Sequence, residues 1–137
     1  MNQQSQFGKV IRIVAFAVDH GAWKHAYGYR FEAPGRVIVI SGDTTYSKSL
    51  IQAAKGCDIL VHEVYSEKGL ANRTPDWQRY HAAFHTSAPD VGRIAAEVQP
   101  KKLVLYHLLP WVKRRRKCWR KSAGTLAASP STATIWT

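Results

Sequence analysis

RVIVISGDTT, residues 36–45, decides the fold. Its first five residues form a near-continuous apolar run, the pattern of a strand covered on both faces. The run stops at Ser41-Gly42-Asp43-Thr44-Thr45, which is small, polar and turn-prone. The same change from apolar run to polar end recurs in ILVHEV (59–64) and KLVLYH (102–107). Between the first two runs, residues 47–57 carry Leu50, Ile51, Ala53 and Ala54, which suits a short amphipathic helix. Upstream, VIRIVAFAV (10–18) and AYGYRFE (26–32) read as strands, separated by the turn signal Asp19-His20-Gly21. Pro34-Gly35 turns the second strand into the third. Downstream, Pro75, Trp77, Tyr80, His81 and Phe84 suggest a loop and short helix with aromatic surface over 65–84. Ser87 or Asp90 caps a helix through Val98 with Val91, Ile94, Ala95 and Val98 on one face, and Pro100 closes it. The order β-β-β-α-β-α-β predicts an α/β layered domain.

Composition bounds the class. The chain has 137 residues, 45% of them apolar, with five Trp, enough for one folded domain and unlike a disordered chain. No apolar run approaches the roughly 18 residues of a membrane span, and the first ten residues lack a signal-peptide layout. Cys57 and Cys118 are too few for a disulfide framework or a Cys zinc site, so a reducing cytoplasm is expected. The net charge of +11 is uneven: residues 1–112 carry +4 and the last 25 residues +7. KRRRKCWRK (113–121) alone holds seven of the twenty basic residues. That stretch reads as an anionic-surface or nucleic-acid patch, or as a solvated tail. The remainder of 113–137 is small, polar and structureless in appearance.

Groups capable of chemistry collect where the strands stop. Asp43 follows the third strand, His62 and Glu63 end the fourth, His107 ends the last, His20 follows the first, and His85 lies in a His-Thr-Ser loop. Ligands in open α/β sheets gather at the carboxyl ends of strands. An Asp and several His meeting there have the composition of a metal hydrolase site. Each residue also has a plainer reading. Asp43 serves equally as a helix cap, His62-Glu63 as a buried polar pair, and His25 and His81 as surface residues.

VDHGAWKHAYGYRFE, VIVISGDTTYSKSL, ILVHEVY, HTSAPDVGRIAAE and KKLVLYHLLP resemble, in this order, the later half of metallo-β-lactamase-fold hydrolases. The nearest branch is that of ribonuclease Z and phosphodiesterases, including arylsulfatase-like proteins. The resemblance implies an αββα sandwich, of which this chain supplies the C-terminal half: one mixed β-sheet with flanking helices over 1–112. It implies two zinc ions, with manganese or iron as alternatives. Asp43 then bridges the metals and His107 is a terminal ligand. His85 assists proton transfer at the scissile phosphate, His62 and Glu63 orient it, and His20 lines the substrate pocket. A metal-held hydroxide attacking phosphorus in line is the implied chemistry.

The family's main metal motif, His-x-His-x-Asp-His, does not occur in the sequence. The expectation is therefore a fragment, inactive alone, that needs its N-terminal half or a homodimer partner. Its substrate would be tRNA, other RNA or a small phosphodiester. Read with codons displaced by two nucleotides, the stretch from Trp111 can yield GQAEEEMLAEIRRN, an acidic amphipathic helix of the kind the family has there. The basic tail is accordingly expected to be either disordered or frame-shifted. Two rival expectations stand beside this one: a basic nucleic-acid-binding half-domain without catalysis, and one chain of a two-chain hydrolase.

Overall fold

A computed structural model describes residues 10–109 and 133–135. Six strands form one sheet in sequence order: β1 (Arg12–Ala17), β2 (Tyr27–Ala33), β3 (Arg36–Ile40), β4 (Ile59–Val64), β5 (Lys102–Leu108) and β6 (Ala133–Ile135). β1–β2 and β2–β3 pair antiparallel; β3–β4, β4–β5 and β5–β6 pair parallel. The sheet is thus mixed, as the sequence predicts. Four helices complete the fold: α1 (Lys48–Ala54), α2 (Glu67–Leu70), α3 (Pro75–Phe84) and α4 (Ala88–Val98). Each parallel step needs a crossover, and α1 and α4 supply the helices for two of them.

α4 forms as its sequence directs. The Ser87 hydroxyl accepts the Asp90 backbone N–H at 3.3 Å, which settles the cap on Ser87. Gln99, in the left-handed region at φ 52°, ends the helix just before Pro100. Its apolar face, Val91, Ile94, Ala95 and Val98, is buried together with Leu50, Ile51 and Ala54 of α1. Both helices lie on one side of the sheet, over Val39 of β3, Leu60 of β4 and Leu103 and Leu105 of β5. Full burial of one such aliphatic side chain contributes about 1.5–3 kcal/mol, so this layer is the stable part of the molecule.

Alternate residues of the same strands point the other way. Ile13 is 59% exposed and Tyr29 is 42% exposed, and Phe31, Ile38, Ile40, Val61 and Val104 are only partly covered. Among the described residues no element packs on that face to close it.

Three differences from the sequence reading follow. Residues 65–84 hold two helices, α2 and α3, rather than a loop and one short helix. His81, read as a surface residue, is only 4% exposed. It sits on the inward face of α3, four residues before His85, so one helical turn carries it under the site. Ala133–Ile135, in the stretch read as structureless, adds β6 beside β5; the basic run 113–121 lies outside the described residues. His25 is exposed, as expected.

Candidate metal centre

Two backbone features aim the candidate ligands. Gly42 has φ +67°, and a Cβ there would fall 2.4 Å from the Tyr27 carbonyl oxygen. Only glycine lets the chain turn this sharply against β2, and Asp43 comes next. At the end of β5 the pairing with β4 shifts: Glu63 opposes Tyr106 but Val64 opposes Leu108. His107 is the residue left over, and it has φ 43°. A non-glycine residue in that region costs about 1–3 kcal/mol, a form of strain concentrated at functional positions. The irregularity swings the His107 ring to Asp43, where Nδ1 lies 2.8 Å from Oδ1.

His85 completes the group. One ligand atom each from Asp43, His85 and His107 lies within 4.8 Å of the others. A carboxylate oxygen from Asp43 and an imidazole nitrogen from His107 suit zinc, manganese or iron, and a catalytic zinc is commonly held by three protein ligands with one position open. Asp43 and His107 therefore fit part of the coordination of a divalent cation, with His85 beside it. The additional ligands of a two-metal site are not found among the described residues.

Behind His85 stands Glu63, which has no exposed surface. Its Oε1 accepts the His85 Nδ1–H at 3.1 Å, the Thr44 N–H at 3.1 Å and the Thr86 N–H at 3.2 Å. These bonds tie the loop after β3 to the loop after α3. They also fix the His85 tautomer, leaving Nε2 as its available nitrogen. Burial disfavours the charged imidazole of His85. The hydrogen bond to Glu63 and the charges of Glu63 and Asp43 outweigh it and raise the His85 pKa above 6.5. The second oxygen of Glu63, Oε2, is buried without a hydrogen-bond partner among the described residues.

The structure separates the neighbours His62 and Glu63. His62 opposes Leu105 and follows Leu60 in the alternation of β4, so it lies on the helix-covered face. Its Nδ1–H donates to the Glu63 carbonyl at 2.7 Å, and its Nε2 is buried without a partner among the described residues. Burial pushes its pKa down to about 4, against the smaller opposing effect of that hydrogen bond. Glu63, not His62, therefore contacts His85. His20 does join the group: its ring lies 5.5 Å from that of His85, edge to face, and its Nδ1–H donates to the Phe84 carbonyl at 2.7 Å.

Sequence reasoning marked the aromatic character of this segment but not the place of His81, stacked on His85 with centroids 5.6 Å apart. The spacing of Trp77, His81 and His85 at four-residue intervals was the available signal, once 75–84 is taken as a helix.

A family model described as a beta-lactamase superfamily domain matches residues 1–108. Ribonuclease Z of Brevibacillus brevis is 40% identical over 80 residues, which span 56% of this chain and 22% of that protein. Ribonuclease Z of Mycobacterium tuberculosis is 31% identical over 121 residues, 86% of this chain and 43% of the relative. The chain thus spans less than half the length of these curated relatives. Among solved structures, the metallo-beta-lactamase fold protein YhfI from Bacillus subtilis aligns over 93% of this chain and 47% of its own, with TM-score 0.68 and 23% identity. Human tRNase Z, short form, aligns over 70% of this chain and 35% of its own, with TM-score 0.54 and 21% identity. On these similarities the chain belongs to the beta-lactamase superfamily, has the metallo-beta-lactamase fold and is similar to ribonuclease Z.

Proposed function

We propose that this chain supplies the C-terminal half of a metal-dependent phosphodiester hydrolase of the ribonuclease Z type, acting on RNA 3′ ends or small phosphodiesters. The observation that carries this reading is the convergence of Asp43, His85 and His107 at the strand ends, with Glu63 buried behind His85. Asp43 and His107 would hold a divalent cation, zinc in the first place and manganese or iron as alternatives. When bound, that ion supplies Lewis-acid polarisation of a phosphoryl oxygen. His85 has the proton-transfer role. Its Nδ1–H is committed to Glu63, and its raised pKa keeps a proton on Nε2 over more of the neutral range. As a water molecule forms a new P–O bond, releasing its proton to solvent, and the bond to the leaving group breaks, the His85 proton passes to the leaving oxygen. His20, held through Nδ1 by the Phe84 carbonyl, would line the substrate pocket from the β1 side with Nε2 outside that bond. The complementary half, carrying His-x-His-x-Asp-His, provides the remaining ligands and covers the open sheet face.

Zinc titration by calorimetry on the chain and two variants tests the assignment. Asp43→Ala is expected to lose more affinity than the roughly 10–100-fold typical of removing an outer-sphere partner. His85→Ala is expected to keep most of it. Equal losses would make His85 a ligand rather than a proton donor. The absence of zinc binding by the unsubstituted chain joined to its complementary half would overturn the metal assignment.

A further inference from the structure

The candidate centre has an aromatic rim that the hydrolytic chemistry leaves unused. Trp23 is 67% exposed and Tyr80 is 50% exposed, although both belong to a continuous string of rings. Trp23 lies 6.1 Å from His20, His20 lies 5.1 Å from Phe84 edge to face, and Phe84 stacks on Tyr80 at 4.5 Å. The middle of this string is fixed. The His20 Nδ1–H donates to the Phe84 carbonyl, and Gly21, at φ +54°, lets the turn press so closely on the Phe84 ring that a Cβ would fall 2.4 Å from it. His20 also meets His85, so two ring-to-ring steps of 6.1 and 5.5 Å join Trp23 to the candidate centre. A base stacked on Trp23 would thus stand on the same string of rings that reaches His85.

Exposed aromatic rings on rigid supports, beside a phosphate-handling group, are the elements of base stacking. Every nucleobase has a flat π-face, so such a platform accepts bases with little sequence preference. We propose that Trp23 and Tyr80 form a stacking rim for the bases that flank the scissile phosphate, so that the site prefers nucleotide phosphodiesters to phosphodiesters without a base. This inference rests on the phosphodiester reading above and adds the substrate class.

Calorimetric titration of the full 137-residue chain with adenosine 5′-monophosphate and with ribose 5-phosphate tests it. The nucleotide is expected to bind at least about fivefold tighter than the sugar phosphate, the lower end of what one stacked base contributes. Trp23→Ala and Tyr80→Ala should each remove about fivefold or more of the nucleotide affinity and leave ribose 5-phosphate unchanged. Trp23→Phe, which keeps a ring, should retain most of the preference. Equal binding of the two probes, absence of binding by both, or no effect of either alanine variant would overturn the rim. Hydrolysis of bis-p-nitrophenyl phosphate by the chain co-expressed with its complementary half reports separately on the phosphodiester reading, because that probe carries no nucleobase. Its failure would sink that reading whatever the nucleotide-to-sugar ratio shows.

Discussion

The two faces of the sheet obey the same alternation and meet opposite fates. On one, Val39 and Leu60 have no exposed surface, and Leu103 and Leu105 are 6% and 3% exposed beneath α1 and α4. On the other, Ile13 and Tyr29 are open to solvent beside a row of half-covered aliphatic residues. Composition alone does not separate them, since both are apolar. The covered face is closed by helices that the crossovers themselves supply. The open face leaves a contiguous set of apolar side chains partly exposed. The candidate centre stands at the strand ends, where the two faces meet. Neighbouring residues record the division: His62 turns into the covered layer and Glu63 turns toward the site.

The largest test of this contrast is a matched pair on β4. Leu60→Ala is expected to destabilise the chain by about 2–5 kcal/mol, as cavity-forming changes in a closed core do. Val61→Ala, one residue on and facing the open side, should cost less than about 1 kcal/mol. Denaturant midpoints decide the matter, and equal losses would mean that both faces are closed.

His62 sharpens it next. Its folded pKa is depressed to about 4, from an ordinary 6.5. Between those values the unfolded chain binds a proton that the folded chain refuses. Stability is therefore expected to fall by about 3 kcal/mol as pH drops from 6.5 to 4, and this contribution is level above that window. His62→Leu should flatten the slope in urea unfolding measured across the window. An unchanged slope would show that His62 is not held neutral by the covered layer.

His107→Gly probes the junction of the faces. Relief of the positive φ should raise stability by up to about 1 kcal/mol, while zinc affinity falls with the loss of the imidazole. Thermal unfolding and zinc titration on one sample would show the two effects moving apart. The smallest effect on stability belongs to the open face itself. Ile13→Lys should change the unfolding free energy by no more than about 0.5 kcal/mol, yet reduce self-association in sedimentation velocity.

Much of the covered layer was legible in the sequence. The strand runs at 36–40 and 59–64 coincide with β3 and β4, and the buried face of α4 is the one its 3.6-residue period marks. These are local patterns. The centre is not local: Asp43, His85 and His107 come from three segments and meet only through sheet order. Their shared position at strand ends suggested a meeting, and the ordered set of family-like motifs assigned them roles. The separate directions of His62 and Glu63 follow from two-residue alternation, which reading them as one orienting pair overlooked. His81 was read as a surface residue because its burial depends on which face of α3 turns toward the site, and that is set by tertiary packing. Among the described residues no helix is long and apolar enough to cross a membrane, in keeping with the absence of long apolar runs.

The most direct test of the central claim is to co-express the chain with a polypeptide carrying His-x-His-x-Asp-His from a ribonuclease Z relative. Zinc content and hydrolysis of bis-p-nitrophenyl phosphate are then measured on the purified material. A stable complex that gains both zinc and activity, and loses both with Asp43→Ala, is the expected result. Failure of the two polypeptides to associate, or association without gain of zinc or hydrolysis, would contradict the claim that the open face and the Asp43–His107 pair await a complementary half.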